Sequence, residues 1–225
     1  MLRTKVLGEP RRTSSYPSAL DVGCGPGLVM EYFISLLDVK GIDIDPEMVE
    51  RARGRGMDAV QGDALELPYK NGSFDIVYCS FTLLWVKDPQ RALMEMARVS
   101  KRYVICFAEP DYGGRVCHPK EVADLGPYLI SSLQDEGADP FVGRKIGHMM
   151  EKAGLEVEMG VHAGVWSPTQ LKVEAKGEWD SIAHQVEGKI GKTGLGRAKA
   201  AWDASLADGS LFLYNPIFYA IGRKF

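Results

Sequence analysis

The alternation of apolar runs and helical patterns in the first half of the chain constrains its fold more than any other feature. From about residue 18 to residue 110, short runs rich in Val, Ile, Tyr and Phe alternate with stretches of helical periodicity. This alternation is typical of repeated βαβ units, which build a parallel sheet covered by helices. Strands are predicted at 19–22, 39–43, 58–61, 74–79 and 103–108.

The second half of the chain predicts helical insertions and two further strands. Helical patterns cover about 119–136 and 141–153, and strand-like runs follow at 155–161 and 211–221, separated by a polar, helix-compatible region. We therefore predict an α/β fold with a seven-stranded, mostly parallel, doubly wound sheet. An antiparallel strand closes this sheet, and helical insertions follow strands 5 and 6.

Composition argues against several classes of protein. The net charge of −3 and the pI near 5.9 lack the basic excess of a dedicated nucleic-acid-binding protein. No apolar run approaches the roughly 20 residues of a membrane-spanning helix, and the polar start lacks the apolar run of a signal peptide. The four cysteines are far apart and have neither disulfide-framework nor metal-ligand spacing. We expect a soluble, cytoplasmic protein without a metal, a membrane partner or a nucleic-acid partner.

A glycine-rich turn between a strand and a helix is the strongest functional signal. Asp21 lies in the first predicted strand, and Gly23, Gly25 and Gly27 precede a helix that begins near Leu28. Glycines let a ligand approach main-chain N–H groups closely, and a helix N-terminus favours an anionic group. The spacing misses the G-x-G-x-x-G fingerprint of dinucleotide-binding folds. NAD is therefore disfavoured as the ligand.

The segment DVGCGPG resembles motif I of the class I S-adenosylmethionine-dependent methyltransferases, in which an acidic residue and a glycine loop hold the amino-acid end of the cofactor. The segments VKGIDIDPEM and GDALELPYK resemble the next two motifs of that family. Asp43 also follows Asp21 at about the 20-residue distance at which an acidic residue meets a ribose in βαβ nucleotide-binding folds. The cofactor-binding residues that the resemblance implies are Asp21, Gly23, Gly25, Gly27, Asp43, Ile44, Gly62, Asp63, Ala64 and Ser80.

The resemblance also implies individual roles and a division of the chain. Asp43 would accept from the ribose hydroxyls, Ile44 would pack on the adenine, and Asp63 would accept from the adenine amino group. An exposed loop acid is the alternative for Asp63, and Asp45 is predicted to cap the following helix. The chain would form a single domain, 1–225. It comprises an N-terminal arm or lid (1–18), a cofactor-binding core (19–110), and acceptor-shaping helical insertions with a closing β-hairpin (111–225).

The acceptor is expected beyond the fourth and fifth strands, because ligands of open α/β sheets lie outside the carboxyl ends of the strands. After the fourth strand the sequence CSFT lacks the Asn/Asp-Pro-Pro-aromatic tetrad that enzymes methylating exocyclic base amines share. This argues against base methylation. After the fifth strand, EPDYGGR concentrates acids, a phenol and an arginine. We predict that Asp111 orients or deprotonates the acceptor, with a helix-capping or salt-bridged loop as the alternative.

These motifs predict an S-adenosylmethionine-dependent methyltransferase acting on a small-molecule or metabolite acceptor. One alternative is a methyltransferase acting on protein or RNA. Another is a non-catalytic S-adenosylmethionine-binding module, since cofactor motifs report binding and not turnover. A narrow apolar cavity would favour the metabolite, and a flat charged surface would favour the macromolecule. The sequence does not specify the acceptor atom or the oligomeric state.

Overall fold

The structure is a computed structural model that describes residues 16–162, 165–166 and 168–225. The predicted N-terminal arm therefore lies almost wholly outside the described residues. The strands are β1 (Ser18–Val22), β2 (Asp38–Asp43), β3 (Asp58–Gln61), β4 (Phe74–Cys79), β5 (Ser100–Pro110), β6 (Val116–His118), β7 (Glu156–Val161), β8 (Phe212–Tyr214) and β9 (Ile217–Arg223). The α-helices are α1 (Leu28–Phe33), α2 (Pro46–Gly54), α3 (Pro89–Val99), α4 (Lys120–Ala123), α5 (Gly126–Asp135), α6 (Ile146–Lys152) and α7 (Pro168–Asp208).

Seven of the strands form one sheet in the order β3-β2-β1-β4-β5-β9-β7. The first five strands of the chain pair in parallel, whereas β9 lies antiparallel between β5 and β7. The predicted fold class is confirmed. The chain moves outward from β1 to β3 and then restarts at β4 on the other side of β1. Such a reversal opens a ligand crevice at the carboxyl ends of the two central strands, here β1 and β4.

The start of each of two sheet-covering helices is determined locally by sequence. Asp45 accepts a hydrogen bond from the N–H of Glu47 at the start of α2, at 2.8 Å. Asp88 accepts from the N–H of Arg91 at the start of α3, at 2.9 Å. In both helices a proline follows the capping Asp, where a missing N–H costs nothing. The predicted capping role of Asp45 agrees with this contact.

Alternate residues of the central strands supply the two faces of the sheet. In β4, Val77 and Cys79 pack with buried residues of α3 and α6. Ile76 and Tyr78 pack on the opposite face with buried residues of α1 and α2. Because successive strand side chains point to opposite faces, a strand buried on both sides must be apolar at almost every position. Packing on both faces holds the central strands in place, and the candidate site lies at their carboxyl ends.

The prediction of one continuous strand at 211–221 is wrong. Asn215 and Pro216 separate β8 from β9, since a proline lacks the N–H that a central ladder needs. β8 pairs with β6 in a separate two-stranded sheet, and β9 alone enters the main sheet. The terminal segment is therefore not a hairpin of two paired strands.

A second hydrophobic core lies in a cap that comprises α4, α5, α7, β6 and β8. Trp179 and Trp202 of α7 pack there with ring centroids 5.3 Å apart. In a straight helix, 1.5 Å of rise per residue would separate these positions by roughly 35 Å. The helix instead reverses at Gly191, where φ is 66°, a conformation that glycine adopts without a steric penalty. The two halves of α7 thus bury their apolar faces against each other and against α4 and α5.

Three further properties limit the chemistry of the described part of the chain. None of its helices is long and apolar enough to cross a membrane. Residues 16–162, 165–166 and 168–225 contain no group of three or more His, Cys, Asp or Glu side chains able to hold a metal ion. All four cysteines are free thiols.

We expect Trp202→Ala to lower the free energy of unfolding by about 3–5 kcal/mol, because the side chain is 1% exposed and its removal leaves a large cavity. Urea denaturation followed by far-ultraviolet circular dichroism measures the change. Val173→Ala on the same helix is the matched control, since Val173 is 74% exposed and should shift stability by less than about 0.5 kcal/mol. Equal stability of the two variants would show that the cap core contributes nothing to folding.

Candidate functional site

The glycine loop after β1 combines one crowded position with one open position. Gly23, Gly25 and Gly27 have φ values of 71°, 51° and 81°, which side chains rarely allow. A Cβ at Gly23 would lie 2.3 Å from Cγ2 of Thr82, whereas a Cβ at Gly25 would meet nothing within 4 Å. Gly23 is therefore required by packing. Gly25 leaves its backbone open to an approaching ligand.

The carboxyl group of Asp21 is buried next to this loop. Asp21 is 1% exposed, and burial raises its pKa to about 8; contact with Tyr78 lowers the pKa and the charge of Asp43 raises it slightly. Neither Oδ2 of Asp21 nor the hydroxyl of Tyr78 has a hydrogen-bond partner of normal geometry among the described residues. A buried acceptor without a donor is costly unless another group supplies one. Asp21 is thus suited to receive a cationic or N–H group of a ligand.

Asp43 connects the three loops that follow β1, β2 and β3. Its Oδ2 accepts from the N–H of Gly25 at 2.7 Å, and its Oδ1 accepts from the N–H of Asp45 at 3.0 Å. Its main-chain carbonyl accepts from the N–H of Gly62 at 2.9 Å. Each carboxylate oxygen keeps a second lone pair for a ligand donor. The structure therefore brings the first three predicted motifs together around one residue, Asp43.

The remaining predicted cofactor residues lie at the same edge of the sheet. Ile44 is 67% exposed directly after β2, which leaves its apolar face free to cover a flat ligand. Asp63 is also exposed, and its Oδ1 accepts from the N–H of Leu65 at 2.8 Å, which orients the side chain. Ala64 and Ser80 are half-buried in the loops after β3 and β4.

The loop after β4 lies within the segment 79–85, which the sequence predicts as a wall of the acceptor site, and it contains residues for which the sequence predicted no individual role. Phe81 has a φ of 53°, rare for an aromatic residue, and its N–H donates to the carbonyl of Ala108 at 2.7 Å. Strained positions of this kind cluster at ligand-binding sites. Phe81 and Trp85 are both about half exposed, so this loop presents two aromatic rings at the surface. Oγ1 of Thr82 lies 3.2 Å from the carbonyl oxygen of Val22, which connects this loop to the glycine loop. The only sequence signal was the position of CSFT after the fourth strand.

Glu109 fixes the loop after β4 to the end of β5. Its Oε1 accepts from the N–H groups of Thr82 and Leu83, both at 3.1 Å. The side chain is 0% exposed, and burial raises its pKa to about 7 although the N–H groups lower it. Oε2 has no partner in the described part of the chain. The sequence singled out only the segment around Glu109, because its partners lie more than 20 residues upstream.

The carboxylate of Asp111 is bound by residues close to it in the structure. Its two oxygens receive Nε and Nη2 of Arg144 at 2.6 and 2.8 Å. Its Oδ1 also accepts from the N–H of Gly113 at 3.1 Å, which caps a short 3-10 turn. These are the contacts of the capping alternative. The role of Asp111 toward an acceptor stays a prediction.

A cavity of about 190 Å³ lies between this turn and the cap. Tyr112, Arg115 and Cys117 line one side of it. The other side is apolar and comes from the cap helices, mainly Val122, Leu129 and Ile182. The cavity is partly open and small, and it combines polar groups on one side with an apolar side.

We expect Glu109→Gln to change how the stability of the protein depends on pH. A carboxyl whose pKa rises on folding stabilises the folded state at low pH and loses that contribution as pH rises from about 4.5 to about 7. Glutamine keeps the carbonyl acceptor and cannot ionise. The free energy of unfolding of the variant minus that of wild type should therefore be larger at pH 8 than at pH 5, by up to roughly 3 kcal/mol.

Urea unfolding at pH 5 and pH 8 measures this difference. Glu174→Gln, an exposed change on α7, is the matched control and should give the same small shift at both pH values. If Glu109→Gln also gave equal shifts at the two pH values, Glu109 would be ionised in the folded protein throughout, contrary to its burial.

Known proteins resemble this chain in sequence. Residues 20–108 match a family described as a methyltransferase domain. The demethylmenaquinone methyltransferase of Bacillus cytotoxicus is 32% identical over 167 residues, which cover 61% of this chain and 69% of that enzyme. The phosphatidylethanolamine N-methyltransferase of Cereibacter sphaeroides is 37% identical over 112 residues, which cover 44% of this chain and 55% of that enzyme. The chain spans about half the length of several such curated relatives.

The fold is shared with a solved structure. Phosphoethanolamine N-methyltransferase 2 of Haemonchus contortus, in complex with S-adenosyl-L-methionine, superposes with a TM-score of 0.61 at 16% identity. The match covers 94% of this chain and 49% of the other. At this identity it shows the fold alone. Together with the sequence relatives and the matched domain, it leads to one assignment: the chain belongs to the class I S-adenosylmethionine-dependent methyltransferases.

Proposed function

We propose that this protein binds S-adenosylmethionine in the crevice between β1 and β4 and transfers its methyl group to a small-molecule acceptor. The observation that carries the proposal is the buried, unpartnered Oδ2 of Asp21 beside an open glycine loop at the reversal point of the sheet. A cofactor with a cationic amino group fits this combination of a buried acid and an open loop, whose own N–H groups at Gly23, Cys24, Gly25 and Gly27 already have partners within the protein. Membership of the family supports the same cofactor.

The other predicted residues supply complementary groups for the rest of the cofactor. Asp43 would accept from both ribose hydroxyls with its remaining lone pairs. Ile44 would cover one face of the adenine, since it is exposed and apolar. Asp63 would accept from the adenine amino group through Oδ2, while the N–H of Ala64 would donate to a ring nitrogen. Gly23, Gly25, Gly27, Gly62 and Ser80 would shape the backbone around these contacts.

When bound, the cofactor supplies a methyl group on a cationic sulfur that is transferred by in-line displacement. Much of the rate acceleration for such a step can come from positioning the two reactants. In this chain Glu109 holds the loop after β4, and that loop carries Phe81 and Trp85 beside the crevice. Their apolar rings would exclude water from the reacting groups. A base is needed only if the acceptor must lose a proton.

The cavity between the turn and the cap favours a small acceptor over a macromolecule. A flat charged surface would suit RNA or protein, whereas this site is a concave cavity with both polar and apolar lining. Relatives named for phosphatidylethanolamine and for demethylmenaquinone differ widely in acceptor, so the family does not specify which molecule is used. The acceptor therefore has to be inferred from the cavity of this chain.

We expect Asp43→Ala to weaken binding of S-adenosylhomocysteine by about 1–3 kcal/mol, because the ribose hydroxyls lose a charged acceptor. Isothermal titration calorimetry measures the affinity. Asp38→Ala is the matched control, since Asp38 is exposed at the opposite end of the same strand and should bind normally. NAD should not bind to any of the three proteins. An unchanged affinity in folded Asp43→Ala would remove Asp43 from the site.

We expect methyl-labelled S-adenosylmethionine to label a small molecule when the protein is incubated with a deproteinised cell extract. Parallel incubations with total RNA and with denatured cell protein should remain unlabelled. Asp43→Ala should lower the label in the first extract and Asp38→Ala should not. Label found only in RNA or protein would overturn the small-molecule proposal. Tight binding of the cofactor with no label in any pool would identify a non-catalytic binding module.

A further inference from the structure

We propose that the cavity between the 3-10 turn and the cap selects acceptors that carry a carboxylate on an apolar body, and that Arg115 binds this carboxylate. The inference rests on the proposed methyltransferase function, because it names the class of acceptor for that reaction. It adds a specificity-determining residue that lies outside the cofactor motifs.

The cavity lies where the sheet edge meets the cap. Tyr112, which lines it, follows the end of β5 and packs against both the sheet core and the cap core. Its N–H donates to the carbonyl of Pro140 at 2.8 Å, which fixes this part of the wall. A molecule in the cavity would therefore lie next to the carboxyl end of β5. Acceptors of an open α/β sheet are expected at that edge.

Arg115 is buried with too few partners for its charge. Its side chain is only 9% exposed, and its ion pair with Glu178 is long, at 3.4 Å. Its Nε donates to Sγ of Cys117 at 3.1 Å, and a thiol is a weak acceptor. The guanidinium has five N–H donors, so several of them lack a partner among the described residues. None of its nitrogens is both fully buried and without a partner, so the free donors of Arg115 are accessible, and Arg115 lines the cavity in which a ligand could bind them.

Arg144, in the same region, makes a two-point ion pair with a carboxylate and serves as a comparison for Arg115. Arg144 contacts both oxygens of Asp111 at 2.6 and 2.8 Å. These are the distances of a two-point arginine–carboxylate pair. Glu178 makes one contact with Arg115 and is itself 30% exposed. The second edge of the Arg115 guanidinium therefore remains available for the planar, two-oxygen group that arginine binds best.

The rest of the cavity defines the body of the ligand. Val122, Leu129 and Ile182 provide apolar walls, and the volume of about 190 Å³ corresponds to roughly six waters at liquid density. This space suits a ring or a short hydrocarbon chain. Arg115 is the only Lys, Arg or His among the described lining residues. A single cation matches a singly charged carboxylate better than a doubly charged phosphate.

Calorimetry with two probes of nearly equal shape tests the charge preference. Trans-cinnamate and trans-cinnamamide are each titrated into the full chain saturated with S-adenosylhomocysteine. We expect cinnamate to bind at least tenfold more tightly than the amide, since only the carboxylate pairs with the guanidinium. Arg115→Met should abolish this ratio by weakening cinnamate alone. Lys176→Met, an exposed charge removal on the same cap, should leave the ratio unchanged.

A second variant separates ligand binding from a structural role. Glu178→Gln removes the competing negative charge and leaves the charge of Arg115 in place. If Arg115 binds the ligand, cinnamate should bind as tightly as in wild type or more tightly. If Arg115 only stabilises the cap through Glu178, neither probe should show a charge preference in wild type or in this variant. This test remains decisive even if Arg115→Met fails to fold.

The natural acceptor gives an independent readout. A deproteinised extract is divided by anion exchange into anionic and non-anionic fractions, and each is incubated with methyl-labelled cofactor. Label in the anionic fraction, lost selectively in Arg115→Met, supports the inference. Label only in the non-anionic fraction overturns it and leaves the methyltransferase function intact. Failure to bind S-adenosylhomocysteine would overturn the function itself, and cinnamate binding to the cavity would then be judged separately.

Discussion

Two buried acidic side chains, Asp21 and Glu109, are the constraint on which the carboxyl edge of the sheet depends. Burial raises both pKa values into the neutral range, to about 8 and about 7. Glu109 is tolerated because two main-chain N–H groups donate to it, and these belong to the loop that carries Thr82. Thr82 in turn requires a glycine at position 23. One series of contacts thus runs from the end of β5 to the glycine loop, and it leaves an acceptor in Asp21 for a ligand to satisfy.

Local patterns in the sequence predicted the parts of the molecule that depend on neighbours along the chain. Strand periodicity, the glycine turn and the capping Asp45 all follow from residues within a few positions of each other. The remaining features depend on distant pairs. Thr82 meets Glu109, and Arg144 meets Asp111 across 33 positions, so no periodicity could indicate them. The reversal of α7 also escaped prediction, because glycines in a helical pattern signal a break without its direction.

The two hydrophobic cores support different parts of the candidate site. The sheet and its covering helices place the cofactor residues, and the cap supplies most of the wall of the cavity. Because the cap core is separate, its apolar residues can change without disturbing the packing beneath the glycine loop. This arrangement is consistent with relatives that are named for very different acceptors.

The bend at Asn215 and Pro216 has a kinematic consequence. The N–H of Asp111, where the chain leaves β5 for the cap, donates to the carbonyl of Pro216, where the chain returns from the cap to β9. β9 is held on both sides by β5 and β7 and cannot slide. The outgoing and returning segments of the connection are therefore joined by one main-chain hydrogen bond. A displacement of the cap at this point moves Asp111 and Pro216 together, and with them the ends of β5 and β9.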